Sequence, residues 1–212
     1  DLFTKQIQKR VAQTASDWML NTHVLERYKK SSREMLNEEG ISLLALGEES
    51  EDSDLGKAIF ASVSADHFIA NSKFMNEVFG PFSMLVKCKN KNEMEQVALQ
   101  LPGQLTCSIF ASEKEALSFS GLVDHLRNIC GRLIWNGVPT GVEVSHAMQH
   151  GGPFPASTDS RFGSVGEDAI RRFARPLCYQ NAIPEILPLE LKNENICSVW
   201  RWVDGCLTND AI

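Results

Sequence analysis

Apolar and polar residues alternate with two different periods along the first part of the chain, and these periods predict helices and strands in turn. Apolar positions recur at close to helical spacing over residues 1–20 and again over residues 22–39, where Gly40 is a natural helix stop. Short apolar runs at residues 41–46 and 58–63 are typical of strands. The chain therefore begins with helices and strands in alternation.

The alternation continues after a break at Gly80 and Pro81. The predicted elements are, in chain order, strand 82–88, helix 90–100, strand 105–110, helix 113–129 and strand 132–135. Asn90 can cap the first of these helices, and Glu93 three residues later completes a capping-box pattern. Alternating strands and helices predict an α/β fold with a mostly parallel twisted sheet, flanking helices and right-handed crossovers.

The pattern loosens in the last third of the chain. Residues 137–166 are rich in Gly, Pro, Ser and Thr, and a loop this long in a compact domain is usually functional or disordered. A helix is predicted near residues 167–174. The following tail contains Trp200 and Trp202 and is too apolar to remain in water, so we expect it to dock on its own domain or on a partner subunit.

Composition excludes several classes of protein. With 212 residues, 43% of them hydrophobic and 23% charged, the chain is typical of a globular domain. The net charge is −6, and no basic stripe could replace phosphate counterions, so we expect no nucleic-acid partner. The acidic run at residues 48–54 predicts a loop, because like charges this dense repel one another. With no long apolar run and no signal peptide, the sequence predicts a soluble cytoplasmic protein without a membrane partner. Its start at Asp1 is typical of a processed or excised segment.

The residue types that most often carry chemistry do not form a reactive site of their own. The six cysteines lack a Cys-x-x-Cys pair and lie mostly in apolar runs, which favours reduced, buried thiols over disulfides or a nucleophile. His146 and His150 have the spacing of a helical metal pair, but Ala147 stands where a zinc helix would carry glutamate, and no third ligand is evident. We therefore predict no metal site and no catalytic residue in this chain.

Several motifs in a consistent order resemble the aldehyde dehydrogenase superfamily. They are Glu-Val-Phe-Gly-Pro at residues 77–81, the strand and loop at residues 131–144, His-Gly-Gly-Pro-Phe-Pro-Ala at residues 150–156, Asp-Ser-Arg at residues 159–161 and the segment 169–181. Their wording is most similar to the 2-oxoglutarate-semialdehyde (2,5-dioxopentanoate) dehydrogenase branch. One departure from most of the superfamily is that residues 153–156 read Pro-Phe-Pro-Ala where Pro-Phe-Gly-Gly is usual, a feature shared by this branch and by fatty-aldehyde enzymes.

The resemblance implies roles for five residues. Glu77 would accept hydrogen bonds from the nicotinamide ribose of NAD or NADP, and Phe79 would pack beside that cofactor. Thr140, Gly141 and Phe154 would line the pocket for a small-molecule aldehyde. Taken without the resemblance, Glu77 is a solvent-facing residue at a strand end, and Phe154 is a packed loop anchor.

The resemblance also implies what the whole protein does. The superfamily's nucleophilic cysteine, general base and dinucleotide-binding domain lie upstream of such a segment, so residues 1–174 would be part of a catalytic domain that is inactive alone. Residues 175–212 would be an oligomerisation strand and a tail, which makes a homo-oligomer the expected assembly. The implied reaction is oxidation of 2-oxoglutarate semialdehyde to 2-oxoglutarate. The alternatives are a fatty or long-chain aldehyde dehydrogenase, or a non-catalytic oligomerisation or binding module with the same fold.

Overall fold

The computed structural model describes residues 1–48, 50, 54–141 and 143–212. These residues form two compact units, Asp1–Arg172 and Phe173–Ile212. The acidic loop predicted at residues 48–54 lies mainly outside the described residues. The elements of the first unit are, in chain order, α1 (Leu2–Ala12), β1 (Asp17–Trp18), α2 (Thr22–Leu36), β2 (Ser42–Leu46), β3 (Leu55–Gly56), β4 (Ile59–Ser64), α3 (Ala65–Ala70), a 3-10 helix (Ser72–Met75), β5 (Phe82–Lys87), α4 (Lys91–Gln100), β6 (Gln104–Ile109), α5 (Glu113–Ser118), α6 (Ser120–Ile129), β7 (Cys130–Trp135) and a 3-10 helix (Glu167–Phe173) whose last residue lies past the boundary.

Side-chain caps explain where the helices begin. The Asp1 carboxylate accepts a hydrogen bond from the Thr4 N–H at 2.8 Å at the start of α1. Asn90 accepts one from the Glu93 N–H at 3.0 Å at the start of α4, as predicted. The second half of the predicted capping box is wrong, because the Glu93 carboxylate accepts from the Lys89 N–H at 2.7 Å instead. Each cap satisfies one backbone N–H that the helix itself leaves unpaired.

The single helix predicted over residues 113–129 is wrong, since the structure has two helices that meet at Phe119. The backbone of Phe119, with φ −111° and ψ 27°, departs from helical geometry. The Ser118 hydroxyl donates to the Glu115 carbonyl at 2.7 Å, and Gly121 adds a weak helix former just beyond. Local competition for backbone groups therefore ends α5, and α6 begins as a separate helix at Ser120.

The strands pair within several small sheets. β4 pairs with β5 in parallel and with β2 antiparallel, and the β2–β4 register is irregular between Leu43 and Ala45. β6 pairs with β7 in parallel, while β1 and β3 form a short antiparallel pair. The predicted α/β class and the parallel direction of both crossover pairs are confirmed. Among the described residues, however, β5 and β6 are not hydrogen-bonded to each other, so the strands do not form one continuous sheet.

The apolar core lies around β4, the most deeply buried strand. Met35, Val63, Phe68 and Phe74 form its centre, and the two phenylalanine rings stack with centroids 6.3 Å apart. Burying each such side chain contributes about 1.5–3 kcal/mol relative to exposing it. Val78 packs against this cluster. The segment that carries Glu77 and Phe79 is thereby attached to the core.

The second unit is small and rich in turns. It contains 3-10 helices at Pro184–Ile186 and Leu189–Leu191 and a hairpin of β8 (Arg201–Val203) and β9 (Cys206–Thr208). The hairpin turn consists of Asp204 and Gly205, with φ angles of +50° and +82°, the backbone that a tight type I′ turn requires. The Arg201 guanidinium donates to the carbonyls of Lys192, Asn193 and Asp210 and so joins the middle of the unit to its C-terminal end.

The predicted oligomerisation strand is not formed within the single chain. Residues 174–179 carry no regular hydrogen-bonded structure. A strand whose partner belongs to another subunit has no ladder to form inside one chain, so its pairing stays a prediction. In the same unit, Trp200 and Trp202 are 67% and 73% exposed. None of the helices in the described ranges is long and apolar enough to cross a membrane.

Candidate functional site

Glu77 and Phe79 project from one short extended segment between the 3-10 helix Ser72–Met75 and β5. The side chains alternate, as they do in extended backbone. Val78 is half-buried on the core, whereas Glu77 is exposed and Phe79 is 62% exposed. The Asn76 N–H donates to the Lys73 carbonyl at 3.0 Å, which closes the preceding turn. A carboxylate and an aromatic ring are therefore presented together, away from the core.

The ring of Tyr28, a residue of α2, packs against the end of this segment. Tyr28 is 3% exposed, and its hydroxyl donates to the carbonyl of Lys57 at 2.6 Å and to that of Pro81 at 3.3 Å. Burial raises the pKa of Tyr28 to about 12. Gly80, with φ +155°, lies so close to the ring that a Cβ atom there would be 2.3 Å from Cδ2 of Tyr28. Only glycine allows this approach of backbone to ring.

The loop that carries Phe154 lies directly on the first residues of β6 and β7. A Cβ atom on Gly131 would be 1.7 Å from the Gly151 carbonyl oxygen, and one on Gly152 would be 2.3 Å from the Gln104 carbonyl oxygen. A Cβ atom on Gly103 would be 2.2 Å from the carbonyl oxygen of Pro153. We call these close backbone contacts, made at Gly103, Gly131, Gly151 and Gly152, the glycine seam. Backbone packs against backbone here because no side chain intervenes.

Ser157 fastens the same loop to itself. Its hydroxyl accepts from the Gly152 N–H at 3.2 Å and donates to the Gly152 carbonyl at 2.5 Å. Farther along, Asp159 accepts a forked hydrogen bond from Arg161, with its shortest contact, to Nη2, at 2.6 Å. The hydrogen bonds from Arg161 lower the pKa of Asp159 to about 2. Internal hydrogen bonds therefore shape a loop that has no helix or strand.

A cleft of about 710 Å³ brings the two predicted halves of the site together. Its walls are residues 75–77, residues 102–106 and the pair Pro155 and Ala156. Glu77 also borders a neighbouring cleft of about 540 Å³ that Phe79 lines. Phe154 itself is 81% exposed, so its loop reaches the cleft through the two residues that follow it.

Thr140 and Gly141 are held elsewhere, by Arg132 of β7. The Arg132 guanidinium donates to the carbonyls of Pro139 at 3.4 Å and Gly141 at 3.5 Å. Thr140 and Gly141 are exposed, and neither is among the residues that line the three clefts at Glu77 in the described part of the chain. The structure thus groups Glu77, Phe79 and the Phe154 loop, and leaves the Thr140 loop apart from them.

The cysteines of the first unit are poorly suited to act as nucleophiles. Cys88, Cys107 and Cys130 are free and half-buried, which is less buried than predicted. Cys107 lies in β6, Cys130 lies in β7 and Cys88 follows β5, and these three strands are themselves only half-buried. Burial, followed by the neighbouring Cys130, raises the pKa of Cys107 to about 12. Burial likewise raises the pKa of Cys88. A raised thiol pKa disfavours the thiolate that attacks carbonyls.

The predicted histidine pair behaves as loop residues do. His146 lies 3.0 Å from the Glu167 carboxylate, with both side chains largely exposed. No cluster of three metal-ligating side chains occurs among residues 1–48, 50, 54–141 and 143–212. From the sequence, Tyr28 was predicted only as an apolar position of a helix. The roles of Gly103, Gly131 and Ser157 in holding the site were not predicted. Only the paired glycines at 151 and 152 give a visible signal of close packing.

Solved structures place this architecture in a known class. The Δ-pyrroline-5-carboxylate dehydrogenase of Mycobacterium tuberculosis bound with NAD aligns with a TM-score of 0.60 at 14% identity, over 87% of this chain and 36% of that chain. The succinic semialdehyde dehydrogenase of Streptococcus pyogenes in complex with NADP⁺ aligns with a TM-score of 0.55 at 18% identity, over 72% of this chain and 33% of that chain. These likenesses show the fold of an aldehyde dehydrogenase segment.

Curated relatives add sequence identity to the shared fold. The chain is 40% identical over 193 residues to the alpha-ketoglutaric semialdehyde dehydrogenase of Acinetobacter baylyi, covering 91% of this chain and 37% of the relative. It is 35% identical over 206 residues to alpha-ketoglutaric semialdehyde dehydrogenase 2 of Azospirillum brasilense, covering 97% of this chain and 39% of the relative. No protein-family model matches the chain. The chain is similar in sequence to these semialdehyde dehydrogenases and spans a little over a third of their length.

Proposed function

We propose that this chain is the C-terminal part of an NAD(P)-dependent aldehyde dehydrogenase that oxidises 2-oxoglutarate semialdehyde to 2-oxoglutarate. The two curated relatives, both named for that aldehyde, support the substrate. The observation that carries the proposal is the joint presentation of Glu77 and Phe79 beside a cleft walled by the Phe154 loop. In this proposal, residues 1–174 belong to the catalytic domain and residues 175–212 serve assembly.

The residues at the cleft fit a nicotinamide cofactor. An exposed carboxylate can accept charge-assisted hydrogen bonds from two adjacent ribose hydroxyls, and Glu77 presents one that forms no hydrogen bond or ion pair within the described ranges. Phe79 offers an exposed apolar wall two residues away. When bound, the nicotinamide supplies the hydride acceptor. Glu77 and Phe79 would orient it, while Phe154, Thr140 and Gly141 would shape the aldehyde side.

The second unit supports a homo-oligomer. Leu177 and Tyr179 are 62% and 42% exposed, in a segment that has no hydrogen-bonded strand partner among the described residues. An unpaired extended segment with apolar side chains is a template for another chain. We also propose that the protein acts in the cytoplasm, a reducing compartment that would keep its six free cysteines as thiols.

The test uses the full-length protein that contains this chain. We expect cofactor reduction with 2-oxoglutarate semialdehyde and either NAD or NADP. A higher kcat/KM for a long-chain aldehyde would shift the proposal to that substrate. Turnover of neither class would favour the non-catalytic module.

Glu77→Gln probes the cofactor side directly. We expect hydride transfer, measured by pre-steady-state cofactor reduction, to slow by up to roughly a hundredfold, because a misplacement of about 1 Å has that cost. Cofactor binding should weaken less, since the carboxylate holds only the reactive end. Glu26→Gln, at an exposed glutamate of α2, is the matched control. An unchanged hydride-transfer rate in Glu77→Gln would remove Glu77 from the site.

A further inference from the structure

We infer that Tyr28 is a positioning residue. It sets how far from the core the segment with Glu77 and Phe79 lies, and how rigid that segment is. Its effect on the reaction rests on the proposed function. Its effect on the segment does not, because that follows from contacts within the chain. Tyr28 belongs to α2, about fifty residues before the segment it supports.

The first contact is steric. The ring of Tyr28 lies beneath Gly80, with Cδ2, Cε2 and Cγ at 2.3, 2.8 and 2.8 Å from the position of a Cβ atom there. The backbone at Gly80 therefore cannot sink further toward α2. Because Glu77 and Phe79 lie three residues and one residue before Gly80, the ring limits how close they can come to the core.

The second contact is polar and joins three pieces of chain. The Tyr28 hydroxyl donates to the carbonyl of Lys57, just before β4, and to that of Pro81, just before β5. The Pro81 carbonyl also accepts from the Ile59 N–H at 2.8 Å, at the start of the parallel β4–β5 ladder. The hydroxyl thus ties α2 to both strands at the point where the segment ends.

The chemistry of the side chain distinguishes this role from ordinary core packing. Phenylalanine would fill the same volume and keep the ring beneath Gly80. A buried hydroxyl is costly unless it forms hydrogen bonds, and here it forms them with the two carbonyls that flank the strands. The Tyr28 hydroxyl therefore sets the position of the segment, while the ring limits how close the segment can come to the core.

The closing experiment compares Tyr28→Phe with Tyr179→Phe, which changes the only other tyrosine of the chain. In the full-length protein without cofactor, we expect amide hydrogen exchange over residues 78–82 to become roughly three- to tenfold faster in Tyr28→Phe, as the loss of one net hydrogen bond predicts. Exchange in α4 and β7 should stay at the wild-type rate. Tyr179→Phe should change neither region.

A kinetic arm tests the consequence for the reaction. We expect Tyr28→Phe to slow hydride transfer roughly threefold or more while the KM for the aldehyde changes less than twofold. Wild-type exchange over residues 78–82, or an equal increase throughout the protein, would overturn the inference. If the wild type oxidises no aldehyde, the proposed function fails, and the exchange arm still decides the role of Tyr28. If Tyr28→Phe does not fold, Gly80→Ala presses on the ring from the other side, and wild-type exchange in that variant would also overturn the inference.

Discussion

Replacing Gly131 with alanine is the most direct test of how the Phe154 loop is held. The new Cβ atom would lie 1.7 Å from the Gly151 carbonyl oxygen, 2.6 Å from its carbonyl carbon and 3.0 Å from Gly152 Cα. All three neighbours are backbone atoms, so no flexible side chain can turn aside. Non-bonded heavy atoms are most favourable at about 3.5–4.0 Å, so the loop would have to move by roughly 2 Å.

This displacement lowers the free energy of unfolding. Forcing one methyl group into a packed site costs typically 1–3 kcal/mol, and backbone neighbours place this site at the upper end. We expect Gly131→Ala to destabilise the chain by about 3 kcal/mol. For a chain of 212 residues, this corresponds to a Tm lower by roughly 6–12 °C.

Gly121→Ala is the matched control within the same chain. Gly121 lies in α6, and a Cβ atom there would meet nothing within 4 Å. We expect this substitution to stabilise the chain by about 0.5–1 kcal/mol, because alanine loses less backbone entropy in a helix. The two variants make the same chemical change in opposite environments.

Thermal unfolding followed by circular dichroism measures the Tm of both variants. The rate of trypsin cleavage after Arg161 reports whether the loop has moved away from β6 and β7. Gly131→Ala should unfold at lower temperature and be cut faster than the wild type. If the two variants have the same Tm and the same rate of cleavage, the glycine seam does not hold the loop.

Three further predictions concern chemistry, assembly and pH. The 212-residue chain alone should oxidise no aldehyde and bind neither NAD nor NADP measurably; cofactor-dependent turnover by the purified chain would contradict this. The chain should self-associate at least as a dimer, and lysine at both Leu177 and Tyr179 should shift it toward monomer or make it insoluble, whereas lysine at Leu117, exposed on α5, should not. Light scattering at several concentrations decides this, and a monomeric wild type throughout would show that the segment is protected within one chain. Because the pKa of Tyr28 is raised by burial to about 12, above its ordinary value near 10, its protonated form stabilises the fold below about pH 10, and this contribution is lost as the pH rises toward 12. Urea unfolding between those values should show the wild type losing on the order of 2 kcal/mol relative to Tyr28→Phe, and parallel curves would contradict the prediction.

The sequence predicts local structure well where one period dominates. The apolar runs at residues 41–46 and 58–63 correspond to β2 and β4, and the Asn90 cap starts α4 as expected. These elements depend on neighbours in the sequence, so their signals are local. The prediction of one continuous helix was wrong at Phe119. The apolar period continues there, but Ser118 and Gly121 favour a break in the helix.

Two features lay beyond any local signal. Which strands become neighbours depends on the packing of whole elements, so alternation indicated parallel pairing without showing that β5 and β6 stay apart in the described chain. Likewise, Tyr28 reads as one apolar position of a helix, and nothing nearby in the sequence links it to Gly80.

The sequence alone determined the α/β class, the order of its elements, and, through family resemblance, the choice of Glu77, Phe79 and Phe154 as site candidates. The tertiary structure decided what holds those residues in place: a tyrosine ring and hydroxyl beneath one segment, and a glycine seam beneath the other. Periodicity encodes which side chains face the core, because that is a property of each element. The approach of one backbone to another, or to a ring, depends on residues far apart in the chain that meet only after packing.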